Sequence, residues 1–115
     1  MDIFIQKLHN IVNEIESRHP NDPEKIVLLN RMTELMLEDE KRTIDFLENC
    51  NTNHARIIYW LSPWFDDIAC QFYSDKVADA MISLIDKYPE DIMLQSDVQI
   101  AIDVIRNIQK DNSLQ

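Results

Sequence analysis

Glycine is missing altogether from these 115 residues. That excludes the phosphate-cradling P-loop, the dinucleotide fingerprint and the nucleophile elbow, which need glycine where the backbone turns sharply or meets a ligand closely. It also argues against tight primed hairpins, whose central residues take positive φ, so a β-rich fold is not expected. Cysteine is nearly missing. Cys50 and Cys70 have no CxxC spacing, which is too little for a zinc site. Cys70 falls within an apolar helical pattern and is expected in the core, whereas the exposure of Cys50 is not legible. No apolar run exceeds a few residues, far short of the ~20 that span a bilayer. Met1-Asp2-Ile3-Phe4 has no basic start followed by an apolar core, so no secretory signal is expected. The cytoplasm is the expected compartment, with both thiols reduced. Basic residues are also scarce: 11 Lys and Arg face 21 Asp and Glu, a net charge of −10. Such a charge repels nucleic-acid phosphates and anionic lipid, so neither is an expected partner, and it favours basic proteins.

What is present is helical periodicity. Apolar residues make up 45% of the chain, which suits one globular domain. Phe4, Leu8, Ile11, Val12 and Ile15 share one face of a helix expected from Asp2 to Arg18. HPNDP (His19 to Pro23) stops it and starts a second, with Asp22 as cap and Pro23 at the first position. Its inward residues are expected to be Ile26, Leu29, Met32, Leu35 and Met36. The charged EDEKR run (Glu38 to Arg42) reads as a corner, followed by a short helix carrying Ile44, Phe46 and Leu47. NCNTN (Asn49 to Asn53) is the clearest break. A fourth helix with Ile57, Ile58 and Leu61 follows. Ser62-Pro63 reads as the cap of a fifth, which carries Phe65, Ile68, Ala69 and Phe72 inward. Ser74-Asp75 caps a sixth helix with Val77, Met81, Leu84, Ile85 and Tyr88 on one stripe, and Pro89 stops it. Ser96-Asp97 reads as the start of a seventh. There Val98, Ile100, Ala101, Ile102, Val104, Ile105 and Ile108 cover over half the circumference, so this helix is expected to be buried on two sides or to offer a face to another chain. The fold expected is a single all-α domain over residues 1–115 of about six to seven short helices. Its arrangement is an irregular bundle or a HEAT-like stack of helical hairpins, with a tail frayed after about residue 110.

No catalytic or metal-binding constellation is expected, and no cofactor. His9, His19 and His54 lack metal-type spacing. Glu34 and Glu38 resemble half of a paired-carboxylate magnesium site, but no second pair follows at a suitable distance. Asp66 and Asp67 sit in a first helical turn, where they complement the helix dipole. Asp75, Asp79 and Asp86 share one face of the sixth helix. Asp75 is explained by its terminal position. The others repel like-charged neighbours, which makes either a solvated face or one that meets a cationic partner. Trp60 and Trp64 flank Ser62-Pro63, as packing residues or as an exposed anchor that Tyr59 and Tyr73 could join.

These features concentrate between Ala55 and Asp91, which hold both tryptophans, all three tyrosines and seven acids against three bases. The stretch IIYWLSPWFDDIACQFYSDKVADAMISLIDKYPED resembles small all-helical immunity proteins of bacterial toxin systems, including contact-dependent growth inhibition. The likeness lies in an aromatic helix, a W-x-x-x-W-F-D-D-I-A centre, a capped helix and a K-Y-P stop, and it covers roughly the second half of the chain. It implies an inhibitor that binds one cognate toxin domain, commonly a basic nuclease, and occludes its active site or substrate groove. On that reading Asp66, Asp67, Asp75, Asp79 and Asp86 supply the electrostatics and Tyr59 or Trp64 the anchor. The rival is a helical regulatory or scaffold module without a toxin partner. A homodimer through the last helix is left open.

Overall fold

Asp2 starts the first helix, its carboxylate accepting from the amides of Phe4 at 2.8 Å and Ile5 at 3.4 Å. A computed structural model describes residues 2–113, and among them every regular element is helical. The α-helices are α1 (Ile3–Ser17), α2 (Glu24–Leu37), α3 (Glu40–Glu48), α4 (Ala55–Leu61), α5 (Phe65–Gln71), α6 (Asp75–Lys87) and α7 (Ile92–Ser113). Single 3-10 turns cover Thr52–His54 and Ser62–Trp64. The breaks fall where cap and turn chemistry places them. Asp22 accepts from the Glu24 amide, Asp39 from Arg42 and Ser74 from Val77. Each satisfies an amide that a helix N-terminus leaves without an intrahelical partner.

The EDEKR corner also closes the end of α2. Arg42 donates to the Leu35 carbonyl at 2.9 Å while its guanidinium lies 4.1 Å from the centre of the Phe4 ring. Thr43, fully buried, donates to the Met36 carbonyl. Two carbonyls in the last turn of α2 thus accept from side chains of α3, which fixes the turn between them. At the other end of α3, the Lys87 ammonium donates to the Leu47 carbonyl at 3.2 Å and to that of Glu48. The Tyr88 hydroxyl donates to the Asn51 carbonyl. The C-terminus of α6 therefore holds the NCNTN break in place.

One apolar core runs through both sides of that break, from Phe4 and Leu8 to Ala101 and Ile105. Helix α2 touches α1, α3, α4 and α5, while α7 lies along α5 and α6. In a linear stack each hairpin meets only its neighbours; here the arrangement is an irregular bundle, 47 Å long and 28 Å across.

Several expectations need correction. Ile26 is 60% exposed, because Leu28, Met32 and Met36 set the buried face of α2 and Ile26 lies about 160° around the helix from Leu28. Cys70 is exposed for the same reason: Phe65, Ile68 and Ala69 form the inner face of α5, and Cys70 falls on the other side. Cys50 is the buried thiol. It donates to the Phe46 carbonyl, and burial pushes its pKa up to about 12. Helix α7 begins at Ile92, four residues before Ser96, with Asp91 accepting from the Leu94 amide at 3.0 Å as its cap. It continues to Ser113, past the expected fraying point; residues 114 and 115 lie outside the described residues. Burial of α7 follows one stripe, Leu94, Val98, Ala101 and Ile105, and Ile100 stays half exposed.

His54 ends the 3-10 turn, its Nδ1 accepting from the Asn51 amide at 3.1 Å. Its ring stacks on His9 of α1 with centroids 6.1 Å apart and meets Phe46 edge-on. Burial, then the proximity of His9 and Lys87, hold its pKa below the usual 6.5. A folded-state pKa below the unfolded one means the unfolded chain binds the extra proton. The stability His54 contributes is therefore complete above about pH 6.5 and is lost as pH falls through the folded value. Urea midpoints are expected to drop between about pH 7 and about pH 5, with a smaller drop in His54→Gln. Equal drops in both proteins would assign the effect to other groups.

Candidate functional site

The break between α4 and α5 positions an aromatic cluster at the surface. Trp60 is fixed from several sides. Its indole N–H donates to Glu16 of α1 at 2.9 Å, Lys25 of α2 sits 5.2 Å from its ring centre, and Tyr59 meets it edge-on at 5.1 Å. Glu16 also accepts from Arg56 Nε at 2.9 Å, and Arg56 reaches Asn13 as well. The Arg56 hydrogen bond first, then that of Trp60, holds the Glu16 carboxyl below its ordinary value. Tyr59, its neighbour pinned in this way, remains 61% exposed.

Facing Tyr59 is the first part of α7. The buried Ser62 hydroxyl donates to Asp97 at 2.9 Å and ties the turn after α4 to that helix. Between them lies a cleft of about 180 Å³ lined by Tyr59, Trp60, Pro63 and Met93, with Asp91 and Asp97 among its walls. Met93 is 70% exposed, and next to it Ile92 is open to solvent too. Met93, Asp97 and Ile100 follow one another at i, i+4 and i+7 along one face of α7. Among the described residues no Arg or Lys pairs with Asp91 or Asp97. The cleft thus combines an apolar and aromatic wall with two carboxylates outside any ion pair of the described residues.

The residues singled out from the sequence do not all gather here. Tyr59 lines the cleft. Trp64 is half buried in the turn after α4 and is not part of its lining. Asp66 and Asp67 lie in the first turn of α5, where Asp66 accepts from the Asp67 amide. Asp75, Asp79 and Asp86 are exposed along one face of α6, and half-exposed Ile82 stands in the same stripe. Asp75 is already engaged by Gln109 at 3.0 Å and Arg106 at 2.7 Å, whose hydrogen bonds hold its carboxyl below the usual range. That leaves Asp79 and Asp86 as the open charges of the stripe. Sequence reasoning overlooked Pro63, Met93, Asp91 and Asp97 as site residues. The i, i+4, i+7 spacing of Met93, Asp97 and Ile100 was the available signal, hidden by starting the helix at Ser96.

A larger groove of about 500 Å³ lies between α1 and α2. Lys7 and Arg31 line it together with Glu14, Glu34 and Glu38, so both signs of charge meet in it. Among the described residues no three His, Cys, Asp or Glu side chains are grouped to hold a metal ion. Nor is any helix among them long and apolar enough to cross a membrane. Compared with family models, with curated proteins and with solved structures, the chain matches none.

Proposed function

We propose that this chain is an immunity protein of a bacterial toxin system, of the contact-dependent growth inhibition kind, acting in the cytoplasm. It binds one cognate toxin domain, a basic nuclease, and blocks that domain's active site or substrate groove without any turnover of its own. The observation that carries this reading is the Tyr59–Met93 cleft, where exposed aromatic and apolar side chains sit beside the carboxylates of Asp91 and Asp97, which make no ion pair among the described residues. Tyrosine is among the residues enriched at energetic hot spots, and carboxylates beside it suit a cationic surface. The net charge of −10 adds long-range attraction to a protein that itself binds phosphates. A standard interface covers about 800 Å² per partner, roughly a ninth of this protein's 7019 Å². The cleft alone is too small for that, so exposed Ile92 and Ile100 on α7 belong to the same contact.

The test is titration against the toxin domain encoded beside this gene, at low and high salt. The expected result is one-to-one binding that stops toxin activity at equal stoichiometry and weakens as salt rises. Absence of binding, or binding that leaves the toxin active, would overturn the reading.

A further inference from the structure

Resting on that reading of the chain as an inhibitor of a basic partner, we infer that the Tyr59–Met93 cleft is an arginine-recognition pocket, which takes one guanidinium side chain from the partner's surface. Its size sets the first limit. Small-molecule pockets run from about 300 to 1,000 Å³, whereas this cleft has about 180 Å³, room for one long side chain. Its walls set the second. The ring of Tyr59, and Pro63 and Met93, offer an apolar lining for an aliphatic stem and an aromatic surface for a planar cation. Guanidinium stacks on aromatic rings and is more weakly hydrated than ammonium, so it leaves water for such a site at lower cost than lysine.

The carboxylates set the third limit. Asp97 is held by the Ser62 hydroxyl through Oδ2, and Asp91 by the Leu94 amide through Oδ1. Each has a second oxygen, and no Lys or Arg among the described residues pairs with either group. Two oriented carboxylates match the several donors of a guanidinium better than the single point charge of an ammonium. A second copy of this chain is a poor occupant, because it would bring another Asp91 and Asp97 towards these charges. Among the described residues Lys25 lies over the Trp60 ring and no Lys or Arg lies over that of Tyr59, which is open to an arriving cation.

The test uses the whole protein and arginine amide as probe, followed by amide and methyl NMR shifts. Saturable shifts are expected around Tyr59, Met93 and Asp97. Citrulline amide, the neutral isostere, should bind at least about tenfold more weakly, the difference expected when a charge-assisted hydrogen bond is replaced by a neutral one. Lysine amide should bind more weakly than arginine amide, and Asp97→Asn and Tyr59→Ala should both reduce the arginine response. No saturable shift, equal binding of citrulline or of lysine, or shifts confined to another surface would overturn the inference. The two proposals fail separately. An arginine response without toxin binding refutes the inhibitor reading and keeps the pocket. Toxin inhibition without an arginine response, and unchanged in Asp97→Asn, refutes the pocket and keeps the inhibitor.

Discussion

Phe65→Ala is expected to destabilise the fold by about 3–5 kcal/mol, the usual cost of emptying a phenylalanine site in a packed core. Phe65 is the largest fully buried side chain among the described residues and opens α5, the helix that packs against both α2 and α7. The missing ring leaves a cavity between elements from both sides of the NCNTN break, into which the surrounding helices relax only in part. A domain of this size has about 5–15 kcal/mol of stability in all, so one substitution removes a large part of it. The corresponding fall in Tm is at least about 12 °C. Urea denaturation followed by circular dichroism measures the change directly. Ile100→Ala, at a half-exposed position on α7, should cost under about 1 kcal/mol in the same experiment. A change of under about 1 kcal/mol for Phe65→Ala would mean that α5 does not lie at the centre of the core.

How far the sequence discloses this fold follows from the range of each signal. Prolines and asparagines act locally, and the stops at HPNDP, NCNTN and Pro89 are where the helices end. The apolar stripe of α1 is equally plain, since all five expected residues are buried. Helix α2 misleads because its eight apolar residues surround it broadly, and only packing selects Leu28, Met32 and Met36 over Ile26. The cap signals show the limit most clearly. Ser62 carries the side chain of a helix cap, and Asp97 stands in the Ser96-Asp97 pair that reads as a helix start. In the structure they bond to each other across 35 positions instead. A short polar side chain beside a helix start satisfies either a local amide or a distant hydroxyl, and the local sequence does not distinguish the two.

The candidate site was legible only in part for the same reason. Tyr59 and the acid excess between Ala55 and Asp91 are visible in the composition of that stretch. The cleft itself needs α7 folded back onto the turn after α4, a contact that no local pattern announces. Met93 and Asp91 lie in what reads as the connector after Pro89, and become a wall only because the helix starts at Ile92. The α6 stripe, by contrast, was legible from spacing alone, but its best-explained member, Asp75, turns out to be occupied by Arg106 and Gln109.

Cleft and stripe are expected to separate in the kinetics of toxin binding. Tyr59→Ala removes an exposed anchor at the centre of the proposed contact and should weaken binding by about 30-fold or more, the effect of losing a hot-spot side chain. The loss should fall on dissociation, because short-range contacts hold the complex after it has formed. Asp79→Lys with Asp86→Lys acts at longer range. Two reversals of two charges each take the net charge from −10 to −6. Association should slow, on the order of tenfold at low salt, and its salt dependence should flatten, while dissociation changes little. Both aspartates are exposed, so helicity should be unaffected. Stopped-flow mixing across a salt series measures both rates. An unchanged dissociation rate in Tyr59→Ala would place the contact elsewhere on the surface. An unchanged association rate in the double reversal would make the α6 stripe a solvated face, and the steering would then have to come from Asp91, Asp97 and the remaining charge around the cleft.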